Sequence, residues 1–369
     1  MVGTSGGELP VLSNTYTNHQ ICIVGFYARE DLGGGIPRYT ISTLRNIRRL
    51  HPDIRLVFVE FGNNPNNVTM RWLKRVSYTL KVASIKAEVY HAVTGALALP
   101  LLLARKRPIV VTIHDLFPLY PDLYKASKVE LELMRKVLHA SDMLIATAEY
   151  WKRDLVKYFK ISEDKVVVIP VGVDHEKFKP IKVYKDTNKK VVLYVGALTW
   201  EKGLDLLLQA FKYVVKKVPN AYLYVGGKGP LDQYFRGLAI RLGIARHVRF
   251  LGFIPEDKLP YYYSSADVFC YPSRTAFGLM LLEAMACGIP VVAVDRFQVR
   301  EYVGDAGILV SPNDIVELAK ALVKVLTNNN LREELSMKAF KRARRFDWRT
   351  TAKLTLDAYV KLKPMLMLY

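Results

Sequence analysis

Short apolar runs alternate with amphipathic segments along nearly the whole chain. Residues 21–26 and 109–113 are two such runs, and each precedes a segment with helical spacing of its apolar residues. Continuous apolar runs are typical of strands buried on both faces of a parallel sheet. Alternation of such strands with helices places the helices on both sides of the sheet. The pattern therefore predicts an α/β fold built on parallel sheets.

One segment, residues 175–190, interrupts this alternation. It contains six lysines together with Pro180 and Asn188 and has neither strand nor helix periodicity, so it is predicted to be a linker. A chain of 369 residues is long enough for two domains. We therefore expect two doubly wound, Rossmann-like domains that face a central cleft. The predicted divisions are a loose tail at 1–19, a first domain at 20–180, a second domain at 181–347, and a C-terminal helix at 348–369 that crosses back to the first domain.

Ligands of such sheets bind beyond the carboxyl ends of the strands, and two of these corners suit an anion. Gly33, Gly34 and Gly35 follow the first strand, where backbone without side chains can approach a ligand closely. Lys202 begins a helix after a buried strand and can meet a phosphate as a point charge. The alternative interpretation of the three glycines is a flexible loop, and that of Lys202 is an exposed lysine at a helix start.

Two further corners carry polar residues in apolar surroundings. Gly278 begins a helix whose first amides can hold phosphate oxygens. Glu283 lies on the otherwise apolar face of that helix, which is costly unless the carboxylate binds a sugar diol or forms a salt bridge. His114 ends the strand at 109–113, and a helix cap or a core position explains it as well as a cleft position does.

Several stretches together resemble glycosyltransferase family 4 (glycosyl transferases group 1), retaining GT-B enzymes that use nucleotide sugars. The most specific match is FGLMLLEAMACGIPVV at 277–292, and the resemblance covers most of residues 20–365. Further matches are VIPVGVD at 168–174, IHDLFP at 113–118 and EYVGDAG at 301–307. The resemblance implies transfer of a hexose from a nucleotide-diphosphate sugar to a glycan or lipid-linked acceptor, with retention of configuration.

The resemblance also implies residue roles. Glu283 would bind the ribose hydroxyls, Lys202 would neutralise the donor diphosphate, and His114 would contact the donor sugar. Other donor-binding positions would be Ile254 beside the base and Phe277, Gly278 and Leu279 at the phosphates and sugar. The acceptor and diphosphate side would be formed by Gly34, Gly35, Arg38 and Asp115. The resemblance implies no cofactor and no obligatory metal, in agreement with the lack of a DxD-type cluster near these motifs. It also implies that the departing phosphate accepts the acceptor's proton.

The sequence departs from the family pattern at two positions. Thr275 stands where the family has the first glutamate of a pair, and Ala197 stands where it often has an arginine. Loss of one charged donor at a developing anion costs about 2–4 kcal/mol in the transition state. We therefore consider Lys228 and Arg274 as replacements for the missing charge. The departures also leave open a catalytically silent, sugar-nucleotide-binding subunit.

The charge of the chain adds a third question, since it carries a formal net charge of +20. Residues 37–110 hold thirteen Lys and Arg against three acids, and residues 70–86 hold five basic residues and no acid. Such a helix suits either an anionic membrane surface or ordinary packing on its domain. Nucleic-acid binding is the remote alternative, because no motif that interleaves aromatic and basic residues is found.

The sequence also bears on location. Its three cysteines lie in apolar runs, which suits buried free thiols in a reducing compartment. Residues 1–19 lack the pattern of a secretory signal, and the apolar stretch at 96–104 is about half of what a bilayer needs. We expect a cytoplasmic protein, free or peripheral on the cytoplasmic face of the membrane.

Overall fold

The computed structural model describes residues 20–25, 35–60, 68–275 and 278–364, with the backbone alone for 68–75. It has two halves, and each is a six-stranded sheet in which all paired strands run parallel. The predicted tail at 1–19 lies outside the described residues. The α/β architecture with two parallel sheets, which the alternation predicted, is confirmed.

The described residues of the first half form six strands and five α-helices. The strands are β1 (Gln20–Gly25), β2 (Arg55–Glu60), β3 (Val89–Ala92), β4 (Ile109–Ile113), β5 (Met143–Ala146) and β6 (Val166–Val168). The helices are α1 (Gly35–Leu50), α2 (Val68–Ser84), α3 (Ala98–Leu103), α4 (Lys128–Ala140) and α5 (Glu149–Phe159). The strand order is β2-β1-β3-β4-β5-β6, so the chain reverses its direction of travel across the sheet at β1.

The second half repeats this plan. Its strands are β7 (Lys190–Val195), β8 (Ala221–Gly226), β9 (Val248–Gly252), β10 (Val268–Tyr271), β11 (Val291–Val294) and β12 (Gly307–Val310). Its helices are α6 (Leu204–Lys217), α7 (Asp232–Arg241), α8 (Leu259–Ser265), α9 (Leu279–Ala286), α10 (Val299–Val303), α11 (Ile315–Thr327), α12 (Asn329–Ala343) and α13 (Trp348–Leu362). The strand order β12-β11-β10-β7-β8-β9 reverses at β7, and ligands of such sheets bind at the reversal.

The sequence pattern explains why these elements pack. All five residues of β4 are buried, as expected for a strand covered by helices on both faces. Helix α11 buries Leu318, Leu322 and Val325, whose spacing places them on one face. Helices α3 and α10 were not predicted, because segments of six and five residues are too short to show helical periodicity.

The last helix, α13, packs against α1 of the first half. Its Tyr359 hydroxyl is hydrogen-bonded to Nδ1 of buried His91, at 2.6 Å. Thr351, also on α13, donates its hydroxyl to the Pro170 carbonyl at 2.9 Å. The C-terminal helix therefore closes the first half rather than the second. None of the described helices combines the length and the apolar composition that crossing a bilayer requires.

The segment around α10 joins the two halves. The Glu301 carboxylate accepts the backbone N–H groups of Glu149 and Tyr150, at 2.8 and 2.7 Å. It therefore caps α5, whose own N-cap, Ala148, has no side-chain acceptor. Phe297 stacks on Trp151 of the first half with 5.5 Å between ring centroids. These contacts fix the segment from β11 to α10 against the first half.

The buried imidazole of His91 makes the fold sensitive to acid. Its Nε2 is hydrogen-bonded to the Thr112 hydroxyl at 2.7 Å, opposite the bond to Tyr359. Burial lowers the pKa of His91 to about 3, because the charged form loses its hydration, and nearby His114 acts in the same direction. Between pH 6.5 and 3 the unfolded chain therefore holds a proton that the folded protein releases.

We predict that stability decreases as the pH falls below about 6.5, with His91 contributing up to about 1.4 kcal/mol per pH unit. His91→Gln keeps hydrogen-bonding groups but cannot be protonated, so its melting temperature should fall less than that of the wild type between pH 6.5 and 4.5. Thermal unfolding at several pH values measures this, with exposed His51→Gln as the control. Identical pH dependence in all three proteins would contradict the assignment.

Candidate active site

A salt bridge across the junction of the two halves lies at the centre of the site. Glu283 on α9 is 2% exposed, and its Oε1 accepts a hydrogen bond from Nη2 of Arg38 on α1. The Tyr263 hydroxyl donates to Oε2 of the same carboxylate at 3.1 Å. The first half thus supplies the cation, and the second half supplies the carboxylate and the tyrosine. Both oxygens of Glu283 have a donor.

The electrostatics of this pair follow from burial. Burial raises the pKa of the Glu283 carboxyl, and the positive charge of Arg38 opposes that rise. A buried carboxylate without such a partner would be strongly destabilising. Arg38 also lies 3.3 Å from Oε1 of Glu256, which Lys177 approaches at 3.1 Å. The junction therefore holds two cations and two carboxylates in contact.

These residues border a cavity between the halves, with a volume of about 290 Å³. Arg38 lines it from α1, and Ile254, Leu279 and Glu283 line it from the second half. Ile254 follows β9 and is nearly buried, so it presents an apolar wall. The cavity brings together three of the predicted donor-binding residues and one residue predicted for the acceptor side. It combines an apolar wall with a buried carboxylate, as a base joined to a ribose requires.

The start of α9 supplies anion-binding groups on the same cavity. Gly278 is the N-cap residue, and the first amides of a helix have no partner within it. A Cβ at Gly278 would lie 2.2 Å from the Met280 sulfur, so only glycine fits there without rearrangement. Glu283 lies one helical turn after Leu279 and therefore on the same face. The helix thus aligns an anion site with a carboxylate.

Lys202 is held at the end of a 3-10 turn, residues Trp200–Lys202, that follows β7. Gly203 comes next with φ +70°, and a Cβ there would lie 2.0 Å from the Pro272 carbonyl oxygen. This close approach presses the turn against the loop after β10. Lys202 is half-buried and forms no ion pair within 4.0 Å with any residue that the structure describes. Its charge is therefore available to an anion.

His114 and Asp115 follow β4 on the opposite half. His114 Nε2 is 3.1 Å from the Val93 carbonyl oxygen, and a carbonyl only accepts, so Nε2 carries the proton and Nδ1 remains an acceptor. Burial lowers the pKa of His114 to about 4, so the ring is neutral at neutral pH. Burial raises the pKa of the Asp115 carboxyl, while the Phe117 N–H and the charge of Lys202 oppose that rise. The two halves therefore bring Asp115 and Lys202 into electrostatic contact.

The structure does not support Arg274 as a replacement for the missing diphosphate arginine. Its guanidinium binds both carboxylate oxygens of Asp205, at 2.7 and 2.6 Å, and lies over the Trp200 ring. It therefore fastens the loop after β10 to the start of α6. Lys228 is exposed, and its Nζ lies 6.0 Å from the centroid of the Phe253 ring. It therefore remains a candidate for the missing positive charge at the diphosphate.

The other predicted residues differ in how far the structure describes them. Thr275 is buried, and its hydroxyl is 3.2 Å from that of Ser273, so it bonds within its own loop. Gly35 begins α1 and is exposed. Gly34 and Phe277 lie outside the described residues. No sequence pattern pointed to Tyr263, Glu256 or Lys177, because only the tertiary fold brings them to Glu283 and Arg38.

Two Rossmann-like halves, each built on a six-stranded parallel sheet, with a cavity at their junction, define the GT-B class of proteins. The family model described as Glycosyl transferases group 1 matches residues 175–342. A second model, Glycosyltransferase Family 4, matches residues 33–177. The chain therefore belongs to the group 1, family 4 glycosyltransferases. The resemblance inferred from the motifs is confirmed.

Several curated proteins are similar to this chain. O-antigen chain mannosyltransferase B of Escherichia coli is 28% identical over 266 residues, which are 68% of this chain and 69% of that protein. D-inositol 3-phosphate glycosyltransferase of Kribbella flavida is 31% identical over 287 residues, 70% of this chain and 67% of that protein. Sulfoquinovosyl transferase SQD2 of Arabidopsis thaliana is 29% identical over 308 residues, 76% of this chain and 58% of that protein.

Solved structures share the fold. Sucrose-phosphate synthase of Thermosynechococcus elongatus has a TM-score of 0.82 at 20% identity, covering 94% of this chain and 100% of that one. Anabaena HepE, in complex with UDP and glucose, has a TM-score of 0.73 at 20% identity, covering 93% of this chain and 99% of that one. At this identity the likeness shows the fold, and it confirms the GT-B prediction.

Two glycines allow the Lys202 loop to be tested with a matched control. Gly203 and Gly243 have φ of +70° and +73°, but a Cβ at Gly243 would meet nothing within 4 Å. Alanine should cost about 1–2 kcal/mol at either position through the backbone. Gly203→Ala should cost roughly 1–3 kcal/mol more through the clash with Pro272. Thermal unfolding of both variants measures the difference, and equal losses would refute the close packing of this loop.

Proposed function

We propose that the protein transfers a hexose from a nucleotide-diphosphate sugar to a glycan or lipid-linked acceptor, with retention of anomeric configuration. The observation that carries this proposal is the junction cavity, where the Glu283 carboxylate and the α9 amides lie one helical turn apart. That spacing suits a ribose diol followed by a diphosphate. The proposal is supported by relatives whose names describe transfer of mannosyl, sulfoquinovosyl or other glycosyl groups.

The proposed reaction uses charges fixed in advance on the second half. The bond between the sugar's anomeric carbon and the phosphate oxygen breaks, and the acceptor hydroxyl oxygen forms the new bond on the same face. The hydroxyl proton passes to the departing phosphate. Lys202 and the amides at Gly278 and Leu279 stabilise the negative charge that develops there. No obligatory metal and no cofactor take part in this scheme.

His114 acts in this scheme through hydrogen bonding rather than as a base. Its Nε2 proton is committed to the Val93 carbonyl, and its depressed pKa keeps the ring neutral. Nδ1 therefore accepts a hydrogen bond from a hydroxyl of the donor sugar. Asp115, which lies near Lys202, faces the acceptor. Both residues are half-buried at the end of β4 and are held by hydrogen bonds, His114 to the Val93 carbonyl and Asp115 from the Phe117 N–H.

A silent, sugar-nucleotide-binding subunit is the second candidate. Thr275 and Ala197 favour it, and the pairing of Arg274 with Asp205 removes one replacement for the missing charge. Binding alone does not separate the two candidates. Turnover does, because a silent subunit binds the donor without hydrolysing or transferring its sugar.

We predict that one nucleotide sugar in a thermal-shift screen raises the melting temperature, and that the protein turns it over. Lys202→Met should lower kcat about 10²–10³-fold, because it removes a donor aimed at the developing phosphate charge. Exposed Lys216→Met on α6 is the matched control. EDTA should leave turnover unchanged. Donor binding without turnover would favour the silent subunit, and full activity of the Lys202 variant would reject its assigned role.

We also propose that the first half associates peripherally with anionic membrane. Helix α2 packs on its domain through Tyr78 and Val82, as the packing alternative predicted. Its Leu80 nevertheless remains 66% exposed, and on the neighbouring helices Leu103 and Val129 are 64% and 78% exposed. We propose that these side chains, together with basic residues from the segment 37–110, whose net charge is +10, form an apolar and basic surface that suits an anionic lipid interface.

We expect Leu80→Asp combined with Leu103→Asp to reduce sedimentation with vesicles that contain phosphatidylglycerol. The loss follows from removing apolar contacts and adding negative charge at an anionic surface. Met337→Asp, a 69% exposed position on α12 of the second half, is the control and should bind normally. Unchanged binding of the double variant, or equal loss in the control, would reject this surface.

A further inference from the structure

The carboxylate that the proposed function assigns to the ribose is already bonded on both oxygens and almost fully covered. Glu283 accepts from Arg38 on Oε1 and from Tyr263 on Oε2, and the side chain is 2% exposed. A ribose diol can reach the remaining lone pairs of this group only when a side chain that covers it moves. We propose that donor binding exchanges ion partners: Glu283 passes from Arg38 to the ribose hydroxyls, and Arg38 passes from Glu283 to the donor diphosphate. This inference rests on the proposed function and identifies Arg38 as a positioning residue for the diphosphate.

The geometry of α9 brings the two partners of Arg38 close together. Glu283 lies four residues after Leu279, which corresponds to about 6 Å along the helix axis. Side chains on a helix lean toward its N-terminus, so the Glu283 carboxylate points back toward the free amides. Arg38 and Leu279 line the same cavity. A phosphate held by those amides would therefore lie within reach of the guanidinium through side-chain rotation alone.

The charge balance favours the exchange. Moving Arg38 would leave Glu256 with Lys177, which lies 3.1 Å away, so no isolated carboxylate results there. Glu283 would keep the Tyr263 hydroxyl and gain the ribose hydroxyls. The diphosphate would gain a guanidinium, which binds phosphate through two parallel N–H groups. Arg38, Lys177 and Glu256 thus keep charged partners after donor binding, and Glu283 exchanges its cation for several hydroxyl donors.

The exchange also supplies a positive charge in place of the arginine that is missing at Ala197. The second half lacks an arginine there, and Arg274 is bound to Asp205. Arg38 is a cation from the first half that lines the same cavity as the start of α9. A charge supplied from the opposite half would reach the diphosphate only when the cleft is closed. Stabilisation of the leaving group would then depend on domain closure.

The exchange predicts opposite effects on two ligands. In Arg38→Met, Glu283 is free for the ribose, so a nucleoside without phosphates should bind more tightly, by about threefold or more. The matching nucleoside diphosphate should bind about tenfold more weakly, because a charged hydrogen-bonding partner is lost. Lys177→Met is the matched control, since it removes a cation from the same cavity without touching Glu283. This control should shift both ligands by less than threefold.

Equilibrium binding of uridine, guanosine and adenosine and of their diphosphates, at one fixed ionic strength, tests the exchange. Effects of the same sign on the affinities for nucleoside and diphosphate would overturn it. If Arg38 had only a structural role, its loss would weaken binding of both ligands, and if Arg38 only blocked access to Glu283, its loss would tighten binding of both. If Arg38→Met does not fold, Arg38→Lys decides the question. It keeps the charge but not the two parallel N–H groups, so it should bind the nucleoside at least as tightly as the wild type and the diphosphate up to about tenfold more weakly, and an equal loss for both ligands would overturn the proposal. Failure of the wild type to bind any of the diphosphates would instead reject the proposed function.

Discussion

Before a nucleotide binds, the buried carboxylate of Glu283 requires a positive partner, and the only cation that touches it in the described chain comes from the other half of the molecule. This requirement links the two Rossmann-like halves at the same point where the cavity forms. Arg38 extends from the first turn of α1, so the register of that helix against the first sheet determines whether the pair forms. The geometry of the site is therefore a property of both halves together.

The second contact between the halves, made by the segment around α10, is of a different kind. Glu301 caps α5 through two backbone N–H groups, and Phe297 stacks on Trp151. Neither contact uses a group that the proposed chemistry needs, so this side can remain fixed while the cleft changes. At Glu283 and Arg38, by contrast, the groups that join the halves are also the groups that a nucleotide would bind. In the proposed exchange, donor binding and the arrangement of the halves are therefore coupled through one ion pair.

The fold could be predicted from the sequence because alternation of buried strands and amphipathic helices is a local pattern. Lys202 and Gly278 were likewise identifiable, since each stands at a strand-to-helix corner. Glu283 was correctly noted as a carboxylate in apolar surroundings, with a sugar diol and a salt bridge as alternatives. Its partners could not be predicted, because Arg38 is 245 residues away and pairing over such a separation depends on how the halves meet. Arg274 was predicted to be free to bind the diphosphate, but it is paired with Asp205. This pair could not be predicted for the same reason, since Asp205 is 69 residues distant.

The net charge of +20 does not arise at the junction. There, two cations face two carboxylates, and Arg274 is balanced by Asp205. The excess lies elsewhere, with half of it in residues 37–110 of the first half. A field of this sign draws anionic ligands toward the protein from a distance but does not orient them at the site. In the proposed function, orientation depends instead on Lys202 and the α9 amides, and the close approach of Gly203 to the Pro272 carbonyl oxygen holds the Lys202 turn in place. Attraction and positioning are thus carried by separate sets of residues, so surface charge can be altered without altering the geometry of the site.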